Sequence, residues 1–362
     1  MQLQEQIISA INTTLKNPIY QTLQLLNIKS LLKSANFVKK REGVSPYLVV
    51  LHFVYMLVMN KKISTFMNQS KDSLKKDTYY RLLQNSSYNW RKLLLLTNLK
   101  ILKKLHKVQD ASAVKVLIID DTVEGKTGKY VEGSRDALWS NKEKRNIRGI
   151  NVVSLNYSDG YSNFMLDFAI NMGNYARVKF GEFTQEIDVR TIAYKRRLEI
   201  MDGKSKIAID MVTRALESGV YADYLLVDSW YSKPAFLREM SELGLKVISR
   251  IANNNKIWNF TAKEKTLNAI YEKYKKIKNE KSSSYGKKIK FKYFSVIVEH
   301  KNAGKIKIVF IKTKEKLIPI ASTDLEINDE EVIDIYKRRW DRTRIQRAKR
   351  TLWIWQRRKS YL

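Results

Sequence analysis

Two short apolar runs that each end in an aspartate constrain this chain more than any other feature: VKVLIID at 114–120 and YLLVD at 224–228. An apolar run without polar alternation reads as a strand buried on both faces, as in a sheet covered by helices. Each run also delivers a carboxylate to the end of a strand, where rigid backbone meets solvent and functional groups gather in α/β sheets. An aspartate that closes one strand is more often a turn or N-cap residue, so neither run decides anything alone.

The surrounding elements supply the context. From residue 1 to about 108 apolar positions recur at three and four and β-branched alternation is scarce, which predicts an all-helical N-terminal domain, 1–110. Its most apolar window, YLVVLHFVYMLVM (47–59), is shorter than the roughly 20 residues of a bilayer span and is expected as a buried helix. Ser70 or Asp72 is expected to cap a helix around Thr78, Tyr79, Tyr80 and Arg81 that mixes basic and aromatic side chains. At 114 the period changes. NVVSLNY and YSNFMLDFAI, joined by Ser158, Asp159 and Gly160, read as a hairpin over 151–170. A charged helical stretch over about 185–219, the strand at 224–228, a helix at 233–244 and a strand at 246–251 follow. Residues 252–320 read as a mostly β insertion with its own hairpin, IKFKYFSVIVEH and KIKIVFIK. LIPIAST returns to the main domain, and Asn328 begins a helix with acids in its first turn, NDEEVIDIYKRRW. This order predicts an α/β (α+β) chain: a mixed sheet with flanking helices, a β insertion and a helical N-terminal unit.

Charge narrows the partners. Sixty-eight Lys and Arg against 36 Asp and Glu leave a formal charge of +32, and residues 1–110 alone hold 18 basic and 5 acidic side chains. A field of that sign concentrates polyanions, and nucleic acid is the one a basic protein meets most often. Lys75, Lys76, Tyr79, Arg81 and Arg91 are the expected DNA-binding residues of the helical unit. The absence of cysteine excludes disulfides and thiolate metal sites, and His52, His106 and His300 lie too far apart in sequence for ordinary zinc spacing. DDTVEGKT lacks the first glycine of a phosphate loop. The start, MQLQEQIISA, has no basic segment followed by an apolar run, so no secretion and no membrane is expected, and the location expected is cytoplasmic, on the nucleoid.

Taken jointly, LIIDDT (117–122), SDGYSNFMLDF (158–168), LLVDSWYS (225–232) and ASTDLEINDEEVIDIYKRRW (321–340) resemble the RNase H-like core of DDE transposases, most closely the IS4-type family. The likeness spans most of residues 75–340. It implies a DNA transposase of an insertion sequence, an endonuclease that cuts its element's ends and joins them to target DNA. It further implies an RNase H-like catalytic domain over 111–362 that encloses the insertion at 252–320. Three carboxylates of such a domain hold Mg²⁺ (or Mn²⁺) ions, and the partners are double-stranded DNA, as terminal inverted repeats and target, and a second copy of the chain on paired ends. The family's first acid sits two residues before a threonine, which indicates Asp120 with Thr122 as a supporting residue, Asp121 being the weaker candidate. The second falls on Asp228, so that Asp120 and Asp228 are the implied catalytic and metal-binding pair. The third is a glutamate in a helix patterned Tyr, two residues, Arg, three residues, Glu, six residues, Lys. Tyr336 and Arg339 fill the first two places as supporting residues, but Thr343 stands where the glutamate belongs and Arg350 where the lysine does.

Helical geometry agrees with that assignment of places, because spacings of three, four and seven put 336, 339, 343 and 350 on one face. Asp341 is turned about 200° away from the slot and does not substitute for it. Residues 342–362 hold eight basic and no acidic side chains. A shift of reading frame near codon 341 is the expected cause, with a basic DNA-binding tail as the other account. Either way the resemblance predicts weak or absent strand cleavage, and a chain that occupies element ends without cutting them is the alternative function.

Overall fold

The computed structural model describes residues 18–340 apart from 39–42, 70–73, 109, 111, 129–130, 141–142, 173–185, 253–259, 261–265, 278–279, 286–288 and 315. Ser70, Asp72, Thr343 and Arg350 therefore lie outside the described residues.

The first described segment is helical: α1 (Pro18–Leu25), α2 (Ile28–Ser34), α3 (Pro46–Val58), α4 (Ile63–Gln69), α5 (Lys76–Leu83) and α6 (Trp90–Leu105). The apolar window forms α3, started by Pro46 in its first turn and buried on Leu48, Val49, Val50, Leu51, Phe53 and Met56. Leu31 and Leu32 of α2, Tyr79 and Leu82 of α5 and Leu93 of α6 close around it in one apolar cluster. Inside that cluster His52 Nδ1 lies 2.8 Å from the Tyr79 hydroxyl, so each buried polar group satisfies the other. Helix α6 continues past this cluster, and its Leu95, Leu99 and Leu102 enter the core beneath the sheet. One helix thus belongs to two cores.

Among the described residues the sheet has ten strands: β1 (Val116–Gly125), β2 (Arg135–Ser140), β3 (Arg145–Ser158), β4 (Asn163–Asn171), β5 (Tyr224–Val227), β6 (Lys246–Arg250), β7 (Lys281–Tyr285), β8 (Ile289–His300), β9 (Gly304–Lys312) and β10 (Leu317–Ser322). β1 pairs antiparallel with β3 and parallel with β5; β3 pairs with β4 and, at its other end, with β2; β5 runs parallel to β6. This is the RNase H-like mixed sheet that the order of elements predicts. The turn of the β3–β4 hairpin forms as expected, with Gly160 at φ +91° and Asp159 accepting from the backbone of Tyr161 at 2.8 Å.

Four features were not in the sequence reading. β1 does not stop at Asp120 but runs on to Gly125. β2 pairs on β3 without an apolar run to announce it. The charged stretch before β5 is two helices, α7 (Ile192–Ile200) and α8 (Lys204–Glu217), broken at Met201–Gly203. The insertion carries a helix, α10 (Leu267–Tyr274), reached after α9 (Pro234–Glu242) and β6. β10, in the LIPIAST segment, pairs antiparallel with β6, and β9, β8 and β7 extend the same sheet outward.

Helices cover both faces. Leu117 and Ile119 of β1 and Leu225 and Val227 of β5 pack with residues of α6, α8 and α9. Val116, Ile118 and Leu226 pack on the opposite side with Val332, Ile333, Ile335 and Tyr336 of α11 (Asp329–Lys337), which ends in a 3₁₀ turn, Arg338–Trp340. Under α6, a charged cluster joins the helical unit to the sheet. Asp167 of β4 accepts from Arg91 Nε at 2.6 Å and Arg214 Nε at 3.0 Å, and Glu199 of α7 pairs with both arginines. Breaking such a buried set by removing one partner leaves cations stranded.

Two measurements check this packing. Burial lowers the His52 pKa from 6.5 to about 4, so the neutral ring is the folded form. Its contribution is complete above pH 6.5 and falls away as the pH drops toward 4, by about 3 kcal/mol in all. Urea unfolding at pH 7 and pH 4.5 should register this loss, and the pair of changes His52→Leu and Tyr79→Phe should flatten it. Asp167→Ala should cost about 3–5 kcal/mol in the same assay at pH 7.

Candidate active site

The parallel ladder between β1 and β5 pairs Val116 with Tyr224, Leu117 with Leu225 and Ile118 with Leu226. Beyond that ladder Asp120 lies within β1 and Asp228 directly follows β5. Arg339 approaches Asp120 and its charge acts on Asp228, so one guanidinium reaches both aspartates singled out in the sequence.

Asp121 is engaged differently from Asp120: its Oδ2 accepts from Lys204 Nζ at 2.7 Å at the start of α8, and its charge acts on Asp228. Asp120 instead faces the C-terminal helix, and Arg339 Nη1 stands 3.8 Å from its Oδ1. Arg339 itself is 9% exposed along its side chain. Tyr336, fully buried beneath, presents its ring 5.6 Å from the Arg339 guanidinium. Tyr336 and Arg339 thus come to the aspartates together, from one turn of chain. Thr122 lies on β1 opposite Val152, on the same side as Asp120 by alternation.

Asp228 is an anion under pressure. Burial pushes its carboxyl above the ordinary range, with the Asp121 charge adding to the rise, while the backbone N–H groups of Trp230 and Tyr231 and the Arg339 charge oppose it. Trp230 N–H donates to Asp228 Oδ1 at 2.8 Å, so the loop after β5 folds back on its own carboxylate. Below it Tyr231 is fully buried, and its hydroxyl is pushed well up by burial and by the charges of Asp121, Asp228 and Asp120. Asp120 and Asp228 are both hard-oxygen donors, the type of ligand that suits divalent Mg²⁺ or Mn²⁺. Among the described residues no group of three or more His, Asp or Glu is placed to hold a metal.

Residues 65–266 match the family model described as DDE superfamily endonuclease, and residues 202–356 match that described as Transposase DDE domain. The first match covers more than half of the chain. The chain belongs to the DDE superfamily endonucleases. The two matches overlap across β5 and the Asp228 loop, and the second runs on through the basic stretch after Trp340. Comparison with curated proteins gives no match.

The rest of this DDE endonuclease sorts the other expected residues. Lys75, Lys76 and Arg81 are exposed on and before α5. Tyr79 and Arg91 are not available to DNA, contrary to the sequence reading. Tyr79 belongs to the core with its hydroxyl on His52, and Arg91 is held between Asp167 and Glu199. A helix that mixes basic and aromatic residues buries its apolar stripe, and the spacing alone did not tell Tyr79 from Tyr80. The N-cap place of α5 is taken by Lys75, with no side-chain bond. Asn328 precedes α11, accepting from Val332 N–H through its carbonyl at 3.0 Å, again without a side-chain cap. No helix among the described residues is long and apolar enough to cross a membrane.

Lys204, Trp230 and Arg338 are the residues of this region that the sequence reading passed over. Gly203, with Lys204 directly after it, marked the start of α8, and Trp230 stood within the quoted LLVDSWYS motif. Arg338 Nη1 donates to the Val114 carbonyl at 2.7 Å, and its guanidinium carbon lies 3.6 Å from the place of a Cβ on Gly160. The hairpin turn and the C-terminal helix are therefore in contact. Because Asp121 is the ion-pair partner of a mostly buried lysine, Asp121→Asn should lower stability by about 1–3 kcal/mol in urea unfolding. Equal stability of the variant and the parent would remove the structural role assigned to Asp121.

Proposed function

We propose that this chain is a DNA transposase of the IS4 type, acting on the ends of an insertion sequence through Asp120 and Asp228. What supports the reading is that Asp120 lies in β1 and Asp228 directly after its parallel neighbour β5, with the Arg339 guanidinium acting on both. On this reading Asp120 and Asp228 hold Mg²⁺ or Mn²⁺. The bound cation supplies electrostatic stabilisation to an in-line displacement at phosphorus.

The chain's own residues do the remaining work. Arg339, close to Asp120, offers a planar pair of N–H donors to a phosphate oxygen of the DNA. Tyr336 packs under it and restricts its rotamers. Thr122 supports the strand beside Asp120. Lys75, Lys76 and Arg81, exposed on the helical unit, contact phosphates along the duplex and carry no sequence information by themselves. A second copy of the chain completes the assembly on paired ends.

The third carboxylate is the weak point. No acid follows Asp341 in the chain, and Thr343 offers one neutral oxygen where the family places a glutamate. Cleavage is therefore impaired, and the same surface leaves the chain able to occupy its element's ends without cutting. That occupancy is the alternative function, and the run of eight basic residues over 342–362 favours it.

A Mn²⁺-dependent nicking assay on a duplex carrying the element's ends separates the two. Slow nicking that disappears in Asp120→Ala and Asp228→Ala, and rises in Thr343→Glu, is the expected result. Nicking that persists in both alanine variants would overturn the assignment of the aspartates, whereas retention of the duplex with no nicking in any variant would favour occupancy. Sequencing the DNA around codon 341 tests the shift of frame directly.

A further inference from the structure

The charged cluster under α6 does not balance. Among the described residues three guanidiniums, Arg91, Arg196 and Arg214, meet there with two carboxylates, Asp167 and Glu199. Arg91 and Arg214 take both acids, and none of the ion pairs among the described residues includes Arg196. The Arg196 guanidinium lies 4.9 Å from the centre of the Phe168 ring and reaches the Phe168 carbonyl only at 3.5 Å. Burial, and after it the Arg91 charge, bring its pKa from 12.5 down to about 10, which leaves it a cation at pH 7. It lines a cleft of about 580 Å³ between α6, α7 and α8, together with Lys92 of α6 and Lys195 of α7, both exposed. The remaining acids of that lining, Asp202, Asp210 and Glu217, belong to the α8 side, where Lys206 pairs with the first two.

A cation drawn out of water without an acid of its own costs stability, and a bound anion removes that cost. A guanidinium presents paired N–H donors in one plane, which match two oxygens of a tetrahedral oxyanion, and ammonium groups beside it add charge without fixing geometry. We propose that the cleft binds a single phosphate group on its α6–α7 side, with Arg196 as the seat and Lys92 and Lys195 at its mouth. Helix α6 belongs to the core of the helical unit as well as to that of the sheet, and α7 packs on β4. A phosphate held between them joins the two units and stiffens their junction. The site is separate from Asp120 and Asp228 and stands or falls without them. The same chemistry serves a free phosphate and a phosphate of a nucleic-acid strand.

The test is thermal unfolding of the full chain at pH 7 in millimolar sodium phosphate, against sodium chloride of equal ionic strength. Phosphate at about tenfold its Kd should raise Tm by about 3 °C. Arg196→Gln should abolish that rise and should leave Tm in chloride equal to or above that of the parent, because it removes the unpaired cation; a side chain that served packing alone would lower it. Lys195→Gln, on an exposed residue, should weaken phosphate binding by about threefold. A short duplex that raises Tm in the parent but not in Arg196→Gln, and cancels the further effect of phosphate, supports the site with a nucleic-acid strand as the source. A duplex without that effect, beside a response to phosphate, supports it with free phosphate as the source. An equal rise in the parent and in Arg196→Gln, or no rise in the parent with either probe, overturns the site. Should Arg196→Gln fail to fold, an equal phosphate affinity in the parent and in Lys195→Gln overturns it instead.

Discussion

The parallel pairing of β1 with β5 is the contact on which the rest of the structure depends. It is short, yet its residues are apolar on both sides, and helices close over both. A ladder buried in this way has its register specified, because a slip of one residue would turn every apolar side chain to the wrong face. The register in turn fixes where β1 carries Asp120 and Asp121 relative to the end of β5, which Asp228 directly follows. A single choice of hydrogen bonds thus sets both the packing and the positions of these carboxylates.

That choice explains what was legible beforehand. Apolar runs ending in acid announced β1, β5 and their aspartates, since a doubly buried strand has little freedom of composition. The β3–β4 turn announced itself through Asp159 and Gly160, whose conformations few other residues adopt. β2 was silent because it is an edge strand with exposed positions, and α10 was hidden because eight residues give a helix little room to establish a period. The roles within α5 were legible only in part. Lys76 and Arg81 could be placed outside by charge, but only the three-dimensional packing distinguishes the buried Tyr79 from its neighbour Tyr80. Arg91 misled for a different reason: its partners, Asp167 and Glu199, are 76 and 108 residues away, beyond any local pattern.

Electrostatics around the sheet ends divides into two economies. Asp167, Glu199, Arg91 and Arg214 neutralise one another and hold α6, α7 and α8 to β4, which makes them architecture. At the strand ends the charges act on one another at closer quarters: burial raises the Asp228 carboxyl against the pull of Arg339, and Arg339 pairs with Asp120 at 3.8 Å. Groups that shift one another's charge in this way are of the kind that functional sites use. On the proposed function the chain's large positive field brings DNA near, while the carboxylates themselves would need a cation before a phosphate could approach them.

The insertion also has a mechanical meaning. Lys307 of β9 reaches the Ile327 carbonyl and the Asp329 carboxylate, and Tyr293 of β8 bonds Glu330, so the first turn of α11 is tied to the outer strands of the same sheet. Lys307 stands near the turn of that hairpin and Tyr293 near its base, and the turn itself is anchored, with Ala303 packed on the main core and Asn302 N–H donating to His300 Nδ1. The hairpin therefore grips the first turn of α11 at two points along its length, so that its strands act as a brace for the helix that leads to Arg339.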